Sequence, residues 1–124
     1  MVGGQAPEGA LFYASSRDGK TFSARVRVPT LGSPKPSHPQ IVLDPRGRIV
    51  VAWDESVNGR RTAVVRELRR EAGDRVAFGE PVTLATQEPA VYPVLAPTSS
   101  GLVAAWTAGS GDSSTIAVRT LTLP

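Results

Sequence analysis

Residues 48–68 read Arg48-Ile49-Val50-Val51-Ala52-Trp53-Asp54-Glu55-Ser56-Val57-Asn58-Gly59-Arg60-Arg61-Thr62-Ala63-Val64-Val65-Arg66-Glu67-Leu68. Two β-rich runs, Arg48 to Trp53 and Thr62 to Arg66, flank the dipeptide Asn58-Gly59. Asn-Gly suits a two-residue hairpin turn because both of its residues tolerate positive φ. The stretch therefore predicts an antiparallel pair of strands near 48–54 and 61–68. Its hydrophobic period is two rather than 3.6, which argues against a helix.

The hairpin returns further along the chain. Val51-Ala52-Trp53 reappears as Ala104-Ala105-Trp106, and Thr62 to Leu68 reappears as Thr115 to Leu121, both displaced by 53 residues. Pro39 and Pro93, like Gly47 and Gly101, are 54 apart, and Phe22 to Val28 matches Phe78 to Leu84 at 56. A repeat near 50 residues that holds four short strands is the signature of a propeller blade. With the strands of a blade named A to D from the axis outward, a full blade spans 38–84, with A at 39–44, B at 48–54, C at 61–68 and D at 78–84. A further blade over 91–123 supplies A, B and C, at 92–97, 102–107 and 114–122. Residues 11–28 form a half blade of C and D, and 1–10 form an N-terminal loop or partial strand. The expected fold class is all-β, with antiparallel four-stranded blades, roughly two and a quarter per chain. The 11 prolines leave little room for helices, and Glu67 to Ala72 reads as a strand end entering a loop. Ile41, Leu43, Val50, Ala52, Trp53, Val103, Ala105 and Trp106 are the expected core.

Composition narrows the chemistry. The chain of 124 residues has no cysteine and one histidine. Disulfides, zinc–thiolate sites, thiol nucleophiles and a multi-histidine metal site within one chain are excluded. No cofactor is expected, and no apolar run approaches the length of a membrane span. Met1-Val2-Gly3-Gly4 lacks the basic and apolar regions of a signal peptide, so a soluble chain is expected. Residues 1–70 hold 12 Lys/Arg against 6 Asp/Glu, and residues 71–124 hold 2 against 5. The basic residues alternate with apolar ones, as in Arg25-Val26-Arg27-Val28, which is the wet face of a strand. No aromatic platform accompanies them, so nucleic-acid binding is not expected. The nucleophile-elbow, phosphate-loop, dinucleotide and calcium-loop motifs are absent.

Ser16-Arg17-Asp18-Gly19-Lys20-Thr21-Phe22 lies between a C and a D strand. It resembles the Asp-box, or BNR repeat, of sialidase-like β-propellers, with Ser16, Asp18, Gly19, Thr21 and Phe22 as its structural residues. The match departs by one residue, since Gly19 follows Asp18 directly, and the corresponding stretch Arg69 to Val76 has lost the motif. The resemblance covers about residues 10–123 and implies a propeller in which the Asp-box turn is structural and lies away from any active site. The Arg-Ile-Pro element of true sialidases is absent, so no sialidase catalytic residue is carried over.

Propeller geometry opens the D–A and B–C loops on one face around the axis. His38 and Tyr92 occupy equivalent places there, each before a proline, and Asp54 and Glu55 follow strand B. These four are the candidate catalytic or binding residues. Histidine and carboxylates move protons near neutral pH, and a tyrosine beside a carboxylate can act as a nucleophile. Arg60 and Arg61 read as solvated turn charges. Three functions are open: a self-assembling recognition module that could take glycans; a metal-independent hydrolase, glycosidase or ester-type, whose site forms between chains; or an inactive structural piece of a longer propeller enzyme. The expected partner is the chain itself. C-terminal A and B would complete N-terminal C and D, with three copies and six blades the leading number, and a dimer or tetramer the alternatives.

Overall fold

The structure is a computed structural model that describes residues 9–32 and 35–123. It is all-β, and every strand pairing is antiparallel. Strands β1 (Phe12–Tyr13) and β2 (Val26–Arg27) form a small hairpin layer. Strands β3 (Ser37–Leu43), β4 (Ile49–Val57), β5 (Arg60–Arg70), β6 (Val76–Phe78) and β7 (Val82–Thr83) form the central sheet, with β6 and β7 both paired to β5. Strands β8 (Ala90–Pro97), β9 (Leu102–Ala108) and β10 (Thr115–Leu121) form the third sheet, in the order β10-β9-β8. Among the described residues no sheet closes on itself.

Turn chemistry sets the central hairpin. Asn58 and Gly59 both take positive φ, at 52° and 78°, as a type I′ turn requires. That turn places Val57 opposite Arg60 and carries the register unbroken to Ile49 opposite Leu68. The fourth strand expected at 78–84 is broken into β6 and β7. Pro81 has no N–H to give the ladder, and Gly79 instead donates to Glu67 O at 2.8 Å, so pairing resumes only beyond the proline.

The layers stack in chain order. Val50, Ala52, Ala63 and Val65 leave one face of the central sheet and pack with Leu95, Ala104 and Trp106 of the third sheet. Val51, Trp53 and Val64 leave the other face and pack with Val28, Leu11 and Tyr13 of the hairpin layer. Because both faces are covered, β4 and β5 read as nearly continuous apolar runs. Among the described residues strand β9 is covered on one face only, and its burial alternates residue by residue, with Leu102, Ala104, Trp106 and Ala108 inside.

The expected core needs correction at its margins. Val50, Ala52, Trp53 and Trp106 are buried, but Ile41 and Leu43 are 55% and 61% exposed. Val103 and Ala105 are half-buried. The hairpin layer covers β4 and β5 but leaves Ile41 and Leu43 of β3 exposed, and no described layer lies on the face of the third sheet that carries Val103 and Ala105.

Candidate functional site

Strand β3 carries an extra residue against β4 between Ser37 and Gln40, and β8 carries one against β9 between Val91 and Val94. His38 sits in the first bulge at φ 57°, and Tyr92 in the second at φ 56°. A bulky residue at positive φ is strained, and a following proline restricts it further; here the next residues are Pro39 and Pro93. Such conformations persist only where neighbouring groups over-determine them.

Asp54 supplies that restraint. It lies on β4 and is fully buried. Its Oδ2 accepts from Tyr92 N at 2.8 Å and sits 2.8 Å from His38 Nδ1. Its Oδ1 accepts from Arg61 Nη2. Arg61 also donates to Asp54 O at 3.0 Å, and to Lys35 O and Ser56 Oγ at 3.2 Å each. Burying a carboxylate is costly unless it is paired and hydrogen-bonded, and these donors meet both conditions. With Asp54 as the acceptor, Nδ1 of His38 is the donor of this bond. The rings of His38 and Tyr92 lie 4.0 Å apart with their planes at 42°. Both are accessible: the His38 side chain is 42% exposed and Tyr92 is 57% exposed.

Three of the four candidates therefore meet, and Glu55 does not join them. Adjacent residues in a strand point to opposite faces. Glu55 goes with Trp53 to the face under the hairpin layer, where it is fully buried. It accepts from Trp53 Nε1 and from Leu31 N at 3.0 and 3.1 Å. One repeat later Ala108 stands in place of Glu55, and Trp106 Nε1 is buried without a hydrogen-bond partner among the described residues.

Arg61 is the site residue that sequence reading passed over. The signal was available: the Asn-Gly turn sets Ser56 opposite Arg61 and Asp54 opposite Ala63, so Asp54 and Arg61 are diagonal cross-strand neighbours. Arg60 does behave as a turn residue, donating to Thr86 O.

The Asp-box-like turn stands apart from this cluster. Asp18 Oδ1 accepts from Lys20 N at 2.8 Å and Thr21 N at 2.9 Å, and Ser16 Oγ accepts from Gly19 N at 2.8 Å. Gly19 takes φ 75°, where glycine alone is unstrained. The Thr21 and Lys20 amides, with the Thr21 and Ser16 hydroxyls, hold the Asp18 carboxyl far below the usual carboxylate range. Phe22 is 65% exposed, so its ring does not pin the turn to the described layers. Asp44, unremarked in the sequence, organises the β3–β4 turn in the same manner. It accepts from Arg46 N at 2.9 Å, Arg48 N at 2.8 Å and Arg48 Nε at 2.6 Å. Burial is the strongest single influence on the Asp44 carboxyl and pushes it up, but the Arg48 and Arg46 bonds together outweigh it and leave it lowered.

Among the described residues no group of three or more His, Cys, Asp or Glu is placed to hold a metal ion. No family model matches the sequence, and neither a curated protein nor a solved structure matches the chain.

Proposed function

We propose that the chain is a carbohydrate-recognition module built from consecutive blades of a sialidase-like propeller, and that His38 and Tyr92 are its ligand platform. One observation carries the binding reading: two exposed rings, in contact with each other, are held in single strained conformations by one buried carboxylate. An exposed ring fixed from below offers a rigid apolar face at low entropic cost, and hydrogen-bonding atoms at its edge. A sugar ring, with apolar C–H faces and hydroxyl edges, matches that surface.

Two further relationships support the blade reading. The same bulge recurs one repeat apart, and consecutive sheets stack by equivalent faces. Hydrolysis of a glycoside by two carboxylates is less well supported. That chemistry needs two carboxyl groups facing one bond. Asp54 already holds Arg61, His38 and Tyr92, and Glu55 lies on the opposite face.

The test is a glycan array read with the wild type and with Tyr92→Gly and His38→Ala, followed by calorimetric titration of any hit. Binding that weakens at least tenfold in both variants is expected. Binding unaffected by either, or steady turnover of chromogenic glycosides that Asp54→Ala abolishes, overturns the reading.

A further inference from the structure

The arginines of this chain divide into two groups. Arg48, Arg60, Arg61, Arg66, Arg69 and Arg119 each reach a carboxylate or a carbonyl oxygen within the chain. Arg25 lies over the Phe12 ring at 4.3 Å. Arg17, Arg70 and Arg75 reach no acceptor among the described residues, and all three are exposed. Yet these three line one depression of about 240 Å³, although they come from different layers. Arg17 belongs to the β1–β2 turn, Arg70 ends β5, and Arg75 precedes β6. Ser15 and Ser23 line the depression as well, and Glu71 is its one carboxylate among the described residues.

Two further recesses continue from this one. Arg70 also borders a second, with Arg48 and Arg69 in its lining, and Arg48 borders a third, with Arg46 and Ser100. The three adjoining recesses cross from the hairpin layer over the central sheet to the third sheet. They lie at the strand ends opposite the Asn58-Gly59 turn and the His38–Tyr92 pair. Most acids along this path are already engaged. Asp18 accepts from the Lys20 and Thr21 amides, Asp44 is buried against Arg48, and Glu67 is buried beside Arg69 at 3.6 Å. Like charges gathered in a recess repel one another and focus a positive potential at its mouth. An anion seated between them relieves that repulsion.

We propose that this end of the molecule binds a linear sulfated polysaccharide, with one sulfate among Arg17, Arg70 and Arg75 and the chain running past Arg69 and Arg48 to Arg46. A guanidinium offers paired N–H donors that fit an oxyanion bidentately, and the first recess has room for one such group rather than for a large ligand. The serine hydroxyls and Glu71 suit the hydroxyls of the sugar that bears it. Nucleic acid also carries repeated negative charge, but binding of single strands rests on a row of exposed rings. Among the described residues Tyr13 is the one ring in the three linings, and it packs against the core beneath the hairpin layer. The proposal does not rest on the His38–Tyr92 platform, which opens at the other end of the strands.

The experiment is calorimetric titration of the whole chain with heparin at about 0.15 M salt, with circular dichroism as the check on folding. The wild type is expected to bind, and chemically desulfated heparin is expected not to. Arg17→Ala, Arg70→Ala and Arg75→Ala are each expected to weaken binding about fivefold or more. Arg27→Ala removes the same charge from β2, outside all three recesses, and is expected to leave binding within about twofold of the wild type. If an alanine variant fails to fold, the glutamine variant at that position replaces it. A wild type that does not bind heparin overturns the proposal. So does Arg27→Ala weakening binding as much as the other three, because net charge alone would then be the cause. Single-stranded DNA that binds as tightly as heparin and is lost in the same three variants also overturns it, and assigns the recesses to nucleic acid.

Discussion

His38 and Tyr92 stand 54 residues apart in sequence, yet their ring centroids are 4.0 Å apart and both answer to Oδ2 of Asp54. Each occupies the extra residue of a bulge at nearly the same positive φ. One carboxyl oxygen thus joins the central sheet to the third sheet at the point where both backbones are strained.

Asp54→Ala should cost about 3–5 kcal/mol in urea unfolding, because it takes the paired carboxylate from the partly buried Arg61 guanidinium and the acceptor from the Tyr92 amide. Asp54→Asn keeps an acceptor and should lose less. An alanine variant as stable as the wild type would show that Asp54 does not hold the two sheets together.

Tyr92→Gly separates the platform from the fold. Glycine takes φ 56° without strain, and the lost side chain is mostly exposed. Thermal unfolding should stay within about 1 kcal/mol of the wild type, since relief of strain offsets the lost ring contact. Carbohydrate binding should disappear. A drop in stability well beyond that range would assign the ring to the core.

The two tryptophans should respond differently to loss of the indole N–H. Trp53→Phe leaves buried Glu55 without one of its donors and should cost about 1–3 kcal/mol beyond the packing change. Trp106→Phe removes a buried donor that has no partner among the described residues and should be the milder substitution. Trp53→Ala should cost roughly 3–5 kcal/mol, as for other large aromatic truncations in a core. Chemical denaturation of the three variants gives the order, and a Trp106→Phe variant that loses more than Trp53→Phe would contradict the assignment of Glu55.

Acid should weaken the turns before the core. The carboxyls of Asp18 and Asp44 are both lowered in the folded chain. A lowered carboxyl contributes stability that is complete above its unfolded value, near pH 4, and that is lost as pH falls through the folded value. The unfolding midpoint should therefore decline below about pH 4. Asp18→Ala should flatten part of that decline while lowering the midpoint at neutral pH. A variant with the wild-type slope would remove Asp18 from the acid response.

Much of the local structure is legible in the residues. Asn58-Gly59 sets the hairpin and its register, and the equivalence of His38 with Tyr92 follows from their prolines. Two features of the site were also within reach. Strict alternation separates Asp54 from Glu55, and counting back from the turn brings Arg61 to Asp54. Placing Asp54 and Glu55 together beyond strand B, and Arg61 among solvated turn charges, obscured both, because a charged residue after a buried strand looks solvated until its partner is known.

Period, turn and repeat are properties of neighbouring residues, so the sequence by itself determined the antiparallel strands, the hairpin register and the recurrence of one unit. Burial is a property of whatever lies across a face, and only the tertiary structure decided it. Ile41 and Leu95 hold the same place in successive sheets, and one is exposed while the other is buried. The residues themselves carry no record of that difference. A β-strand presents two equivalent faces, and the packing of distant layers selects which of them meets water.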